Sequence, residues 1–155
     1  MSEISHPRMP EDVYSSSGIK HVKYLNMLSK IAADIIAPVK GNTRISAAIV
    51  YRNNVVAFGV NAKKSHPFQA KFGKNEDSVY LHAETDAIKN ALKYISIEDL
   101  SKSTLYICRV KFSDTMKRNM IFGLSKPCSG CSRCIATFGI RSVVYSLDNC
   151  GYSVL

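Results

Sequence analysis

Tryptophan is absent from this chain, and Phe and Tyr together make up only 9% of it. That is thin material for a platform on which single-stranded bases stack. No apolar run approaches the roughly 20 residues needed to cross a bilayer, and no membrane partner is expected. The first eighteen residues lack the apolar core of a signal peptide and any Arg-rich amphipathic run, so the expected location is cytoplasmic. There is no internal repeat, and no low-complexity run beyond three serines at positions 15–17. Acidic residues are scarce: 12 Asp and Glu stand against 21 Lys and Arg, a net charge of +9. The imbalance is steepest over residues 101–155, where only Asp114 and Asp148 oppose eight basic side chains. Such a surface favours an anionic partner, a nucleotide phosphate or a nucleic-acid backbone, although a basic surface can also serve solubility alone.

What remains has ordinary proportions, 46% hydrophobic and 21% charged over 155 residues, enough for one domain and one core. Residues 1–18, with Pro7 and Pro10, read as a flexible N-terminal tail, and residues 19–155 as a single domain. Apolar residues recur every three or four positions from Ile19 to Ile36, which predicts an amphipathic helix ending before Pro38. Ile45–Arg52 and Val55–Val60 predict two strands joined by a turn at Asn53-Asn54. A polar loop follows over Lys63–Ser78, containing His66, Gly73 and Lys63, Lys64, Lys71 and Lys74. Its length is that of loops that are functional or disordered. A second helix is expected over His82–Ile95, a strand over Ser103–Phe112 and a basic insertion over 113–126 with Lys117-Arg118 at its tip. A third helix is expected over Cys128–Phe138, stopped by Gly139, then a strand over Arg141–Ser146. This order predicts an α/β domain, a central sheet covered by helices.

Two stretches carry chemistry. Leu81–Ala87 reads LHAETDA and offers an imidazole, His82, with a carboxylate two positions on, Glu84. Lys126–Cys134 reads KPCSGCSRC and offers Cys128 and Cys131, neighbours on one helical face, with Pro127 suited to a first helical turn. A helix N-terminus favours thiolates there. One His and two Cys make three zinc ligands and leave a tetrahedral ion one position for water. Zinc lowers the pKa of such a water to about 7. Glu84 is then the acid–base group. On a regular helix His82 and Glu84 point about 200° apart, so both can face one site only if His82 lies at the helix start.

Five cysteines, three of them in one seven-residue window, suit metal ligation better than a disulfide framework. CxxC also occurs in redox dithiols, but the surrounding order of a thioredoxin-type site is missing. Cys134 extends the spacing toward an iron–sulfur cluster or a fourth zinc ligand; lying well round the helix, it reads better as a small buried hydrophobe. Phe122 and Tyr145 could stack on a base, although core packing is their default.

H-x-E followed by P-C-x-x-C is the known signature of zinc-dependent nucleobase deaminases. In these residues, and more weakly from Ile45 to Ser146, the chain resembles the cytidine and deoxycytidylate deaminase family. The resemblance implies a three-layer α/β/α sandwich with a central mixed sheet of about five strands, and one catalytic Zn2+ held by His82, Cys128 and Cys131. It implies Glu84 as the proton shuttle, Asn61 of Gly59-Val60-Asn61 as a contact to substrate sugar or base, and the Ala83 amide against the base carbonyl. The implied substrate is a cytosine nucleotide or nucleoside, with deoxycytidylate foremost, and the implied assembly a homo-oligomer. Two departures bear on substrate choice: Val60 and Ala62 flank Asn61 where deoxycytidylate deaminases continue G-Y-N-G, and 46 positions separate His82 from Cys128. Two other readings stay open, a deaminase of cytosine or adenine in single-stranded nucleic acid or tRNA, and a non-catalytic zinc-stabilised binding module.

Overall fold

The structure is a computed structural model that describes residues 6–11, 16–35, 43–62, 67–71, 81–117 and 119–155. One mixed sheet forms its middle layer. Its strands are β1 (Arg44–Tyr51), β2 (Asn54–Val60), β3 (Thr104–Phe112), β4 (Met120–Gly123), β5 (Ser142–Ser146) and β6 (Tyr152–Val154). Their order is β2-β1-β3-β5-β6, with β4 also on β3. Only β3 and β5 run parallel. Among the described residues five helices accompany the sheet: α1 (Ser16–Ala33), α2 (Pro67–Ala70), α3 (Ala83–Ala91), α4 (Ile97–Ser101) and α5 (Ser129–Phe138).

The pleat explains the layering. Side chains alternate faces along a strand, and β3 sends Tyr106, Cys108 and Val110 to one side and Leu105 and Ile107 to the other. The first set meets Val22, Leu25, Leu28 and Ala32, the apolar stripe of α1. The second meets Ala83, Ala87, Ile88 and Ala91 of α3, with Leu100 of α4 and Cys134 of α5. Each fully buried Leu or Val contributes roughly 1.5–3 kcal/mol. The three-layer α/β/α expectation is met, with six strands where about five were expected.

β3 shares one edge between two partners. Its first half pairs with β5 (Thr104↔Ser142 to Ile107↔Tyr145) and its second half with β4 (Arg109↔Gly123 to Phe112↔Met120). Ser125 and Ser146 close the seam. The Ser125 hydroxyl donates to Ile107 O at 3.0 Å, and the Ser146 hydroxyl donates to Gly123 O at 2.7 Å while accepting the Arg109 amide at 3.0 Å.

Several expectations are corrected. The first eighteen residues are not all loose tail: α1 starts at Ser16, and Met9 is buried, its amide donating to Asn26 Oδ1 at 2.7 Å and its carbonyl accepting from Asn26 Nδ2 at 3.0 Å. The β1–β2 turn falls on Arg52 and Asn53, both at positive φ, as a two-residue hairpin requires. The second expected helix is shorter than His82–Ile95: α3 ends at Ala91, and beyond the expected range an unexpected helix, α4, is capped by Ser96, which accepts the Asp99 amide at 3.1 Å. The insertion before Pro127 is a hairpin whose return strand is β4, and β6 forms in the C-terminal tail. Of the polar loop, Pro67–Ala70 is helical, while Lys63, Lys64, His66, Gly73 and Lys74 lie outside the described residues, as does Arg118.

Candidate metal centre

Two helix starts meet at the carboxyl end of the sheet. His82 is the N-cap of α3, in extended backbone at φ −89° and ψ 155°. It is held there from both sides: Ala62 N donates to Leu81 O at 3.0 Å, and Asp86 N closes the first helical turn on His82 O at 2.9 Å. Cys128 is the N-cap of α5, and its sulfur accepts the Cys131 amide at 3.5 Å. His82 therefore lies outside the helix that carries Glu84, and the opposed directions expected of i and i+2 on a regular helix do not apply to them.

The approach of α3 to the sheet depends on Gly59. A Cβ there would lie 2.3 Å from Ala83 O and from Ala87 N, so α3 rests on β2 backbone to backbone. Asp86 adds a tie, its carboxylate accepting the Val60 amide at 3.1 Å and pairing with Lys89 at 3.2 Å. Sequence reasoning gave roles to neither Gly59 nor Asp86; the signals were a glycine inside a strand and an acid in a helix's first turn.

His82 Nδ1 lies 3.5 Å from Cys128 Sγ and 3.3 Å from Cys131 Sγ, and the three ligand atoms all fall within 4.8 Å of one another. Tetrahedral zinc with Zn–N of about 2.0 Å and Zn–S of about 2.3 Å places N and S roughly 3.6 Å apart, so the donor set fits the ion. Among the described residues this is the one group of three or more His, Cys, Asp or Glu gathered at such range, and neither Glu84 nor Cys134 belongs to it. Cys134 is fully buried in the core of that face.

The electrostatics bind the group together. The hydrogen bond to Cys128 raises His82 against the effect of burial. Cys131, then His82, pulls the Cys128 thiol well below the usual thiol range. The same Cys128–Cys131 bond, with burial, pushes Cys131 up. Zinc ligation needs both sulfurs deprotonated, so loading releases protons. Glu84, only 5% exposed, is raised chiefly by burial; its own amide and His82 act the other way.

The other candidates are placed as follows. Ala83 is the first residue of α3, where a helix leaves its amide without an intrahelical acceptor. The buried Asn61 side chain accepts the Ile45 amide at 2.9 Å and donates to Thr43 O at 2.9 Å, tying the end of β2 to the start of β1. Phe122 packs on the α1 face, away from the site, and Tyr145 in the core beneath α5. Lys71, Lys117 and Lys126 are exposed.

A family model for the cytidine and deoxycytidylate deaminase zinc-binding region matches residues 19–147. The chain belongs to that family. Its metal centre is the family's zinc site, with His82, Cys128 and Cys131 positioned to hold the ion. No curated protein sequence matches the chain. Among solved structures, dCMP deaminase from the cyanophage S-TIM5 is similar in its apo form at 22% identity and a TM-score of 0.51, covering 86% of each chain. The same enzyme in complex with dCMP and dUMP gives 20% and 0.54, covering 86% of this chain and 85% of that one. Acinetobacter baumannii RibD, form 2, is similar at 14% and 0.54 over 85% of this chain but only 29% of its own. At these identities the likeness establishes a shared fold. No helix among the described residues is long and apolar enough to cross a membrane.

Proposed function

We propose that this deaminase-family chain is a zinc-dependent hydrolase that converts a cytosine nucleotide, deoxycytidylate first, to its uracil form with release of ammonia. The observation that carries the reading is Glu84: a carboxylate buried at the second position of α3, under the influence of the same three side chains that ligate the metal. A binding module stabilised by zinc has no use for a buried acid there. Membership of the family and the fold shared with an enzyme solved with dCMP and dUMP support the choice of substrate.

Zinc, when bound, supplies a water activated near neutral pH and a positive charge at the reacting carbon. Glu84 takes one proton from the attacking water, delivers it to the ring nitrogen, and carries the next to the departing amine. Burial raises its pKa and so favours the protonated form through which this alternation passes. The Ala83 amide donates to the base carbonyl. Asn61 commits one of its two amide hydrogens to Thr43 O, and we assign the other to the substrate. Assembly into a homo-oligomer belongs to the same proposal and is read by sedimentation.

The test is ammonia release by zinc-loaded protein from dCMP, dCTP, CMP, cytidine, deoxycytidine, guanine and adenosine. We expect dCMP to lead, and Glu84→Gln to lower its turnover about 10²–10⁴-fold with zinc retained. Silence across the panel would sink the small-molecule reading. The net charge of +9 favours a second reading, a base in single-stranded nucleic acid. Salt-sensitive retention on single strands supports it, and no retention at low salt removes it.

A further inference from the structure

Arg109 is the cation that the mechanism leaves unused. It follows Leu105 and Ile107 on the face of β3 that looks toward α3 and α5. Its cross-strand partners are Ile45 and Gly123. Ile45 is tied to Asn61, one residue before Ala62, which binds the carbonyl preceding His82. Gly123 stands five residues before Cys128. Arg109 thus sits between the two chain segments that deliver the two halves of the metal set.

Its surroundings do not satisfy it. The arginine stem lies across Gly123, where a Cβ would come within 3.0 Å of Cδ and 3.1 Å of Cγ. Nε is buried and has no hydrogen-bond partner. Among the described residues no ion pair or side-chain hydrogen bond reaches the guanidinium. Asp148 feels Arg109 through space, but no ion pair forms between them, and Lys111 at 3.0 Å and the Leu124 amide at 3.1 Å both bond Asp148 Oδ1. A charged N–H buried without an acceptor is costly, so such an orphan calls for an acceptor from outside the chain, a ligand, an ion or a water.

We propose that Arg109 is the anion-binding residue of this site and that its guanidinium holds the phosphate of a nucleotide monophosphate whose base is presented to Glu84. The inference rests on the reading of a cytosine nucleotide given above and narrows it: the phosphorylated form is the substrate and the nucleoside is not. A guanidinium suits the role because its planar fork meets two phosphate oxygens at once, which an ammonium does not.

The experiment measures calorimetric binding of dUMP and of deoxyuridine to the zinc-loaded full chain, in wild type, Arg109→Met and Arg109→Lys. Methionine keeps an apolar stem over Gly123. In Arg109→Met, dUMP affinity should fall about 10- to 100-fold, the loss of a charged hydrogen bond. Deoxyuridine affinity and zinc content should stay within twofold of wild type, and Arg109→Lys should recover part of the loss. Unchanged dUMP binding in Arg109→Met overturns the inference. So does equal weakening of both ligands, or loss of zinc, since either marks a packing role. Because dUMP binding needs no turnover, it tests Arg109 even if the ammonia assay is silent. If deoxycytidine and dCMP are deaminated equally well and Arg109→Met changes neither, the inference fails while the deaminase reading stands.

Discussion

The two faces of the sheet are built from different materials. The α1 face is filled by large side chains, Leu25, Leu28, Tyr106 and Phe122 among them, all buried under one helix of 18 residues. Aromatic contacts thicken it: Tyr24 and Tyr106 lie 4.9 Å apart by ring centroid, and His21 touches Tyr106 and Tyr152 at 5.5 and 5.4 Å. The opposite face carries short helices and, where α3 meets the sheet, small residues, Ala47 and Ala57 against Ala83, Ala87 and Ala91, with Ile49, Leu100, Leu105 and Ile107 filling the rest. Small residues and Gly59 let backbone approach backbone, which fixes a helix start with less slack than long side chains allow. One face supplies burial and the other position, and reactive groups gather where position is held.

The largest effect should come from His82→Ala. Zinc content should fall close to nothing and deamination by more than the roughly 10⁴-fold that acid–base assistance alone accounts for. If the faces are separable, the far-ultraviolet dichroism of the helices should survive. Wholesale unfolding would instead make the metal a structural pillar of both faces. Gly59→Ala comes next. An overlap at 2.3 Å with helix backbone should push α3 outward and cost about 3 kcal/mol or more. Equilibrium unfolding reads that loss, and competition with a chelator reads weakened zinc binding.

Leu25→Ala, fully buried under α1, should be the converse. Unfolding should lose about 2–5 kcal/mol, while zinc affinity and Glu84-dependent turnover, measured well below the new midpoint, stay as in wild type. A matching fall in zinc affinity would show that the sheet transmits strain between its faces.

The smallest effect is pH-dependent. Burial, then Lys20, lowers the pKa of His21 below the ordinary 6.5. The ring Nδ1 lies 2.8 Å from the Tyr106 hydroxyl, and burial raises that phenol so that it keeps its proton. Between the folded pKa and 6.5 the unfolded chain binds more protons, so stability rises with pH across that window and the contribution is lost on acidification below it. His21→Gln should flatten this slope in urea titrations; an unaltered slope would assign it to other groups.

The metal set was legible because zinc chemistry restricts which side chains can serve and how far apart they stand. The long elements were legible because α1 and β3 repeat their apolar residues over several periods. β4 and β6, of four and three residues, are too short to show a period. The end of α3 was hidden because Leu92 and Ile95 continue its stripe into a turn that packs on the same core. Burial of Met9 could not be read locally, since it depends on Asn26, seventeen positions away. Asn61 was singled out as a substrate contact; that its amide also ties the two neighbouring strands becomes visible only with β1 beside β2.

The shared edge of β3 has a practical consequence. Because Ser125 and Ser146 lock the chain again just beyond β4, the hairpin is tethered on both sides, and its described tip residues 113, 115–117 and 119 are exposed. A fluorophore or affinity handle grafted there would ride on the rim of the catalytic end without touching the ligands, giving a reporter for whatever docks above them.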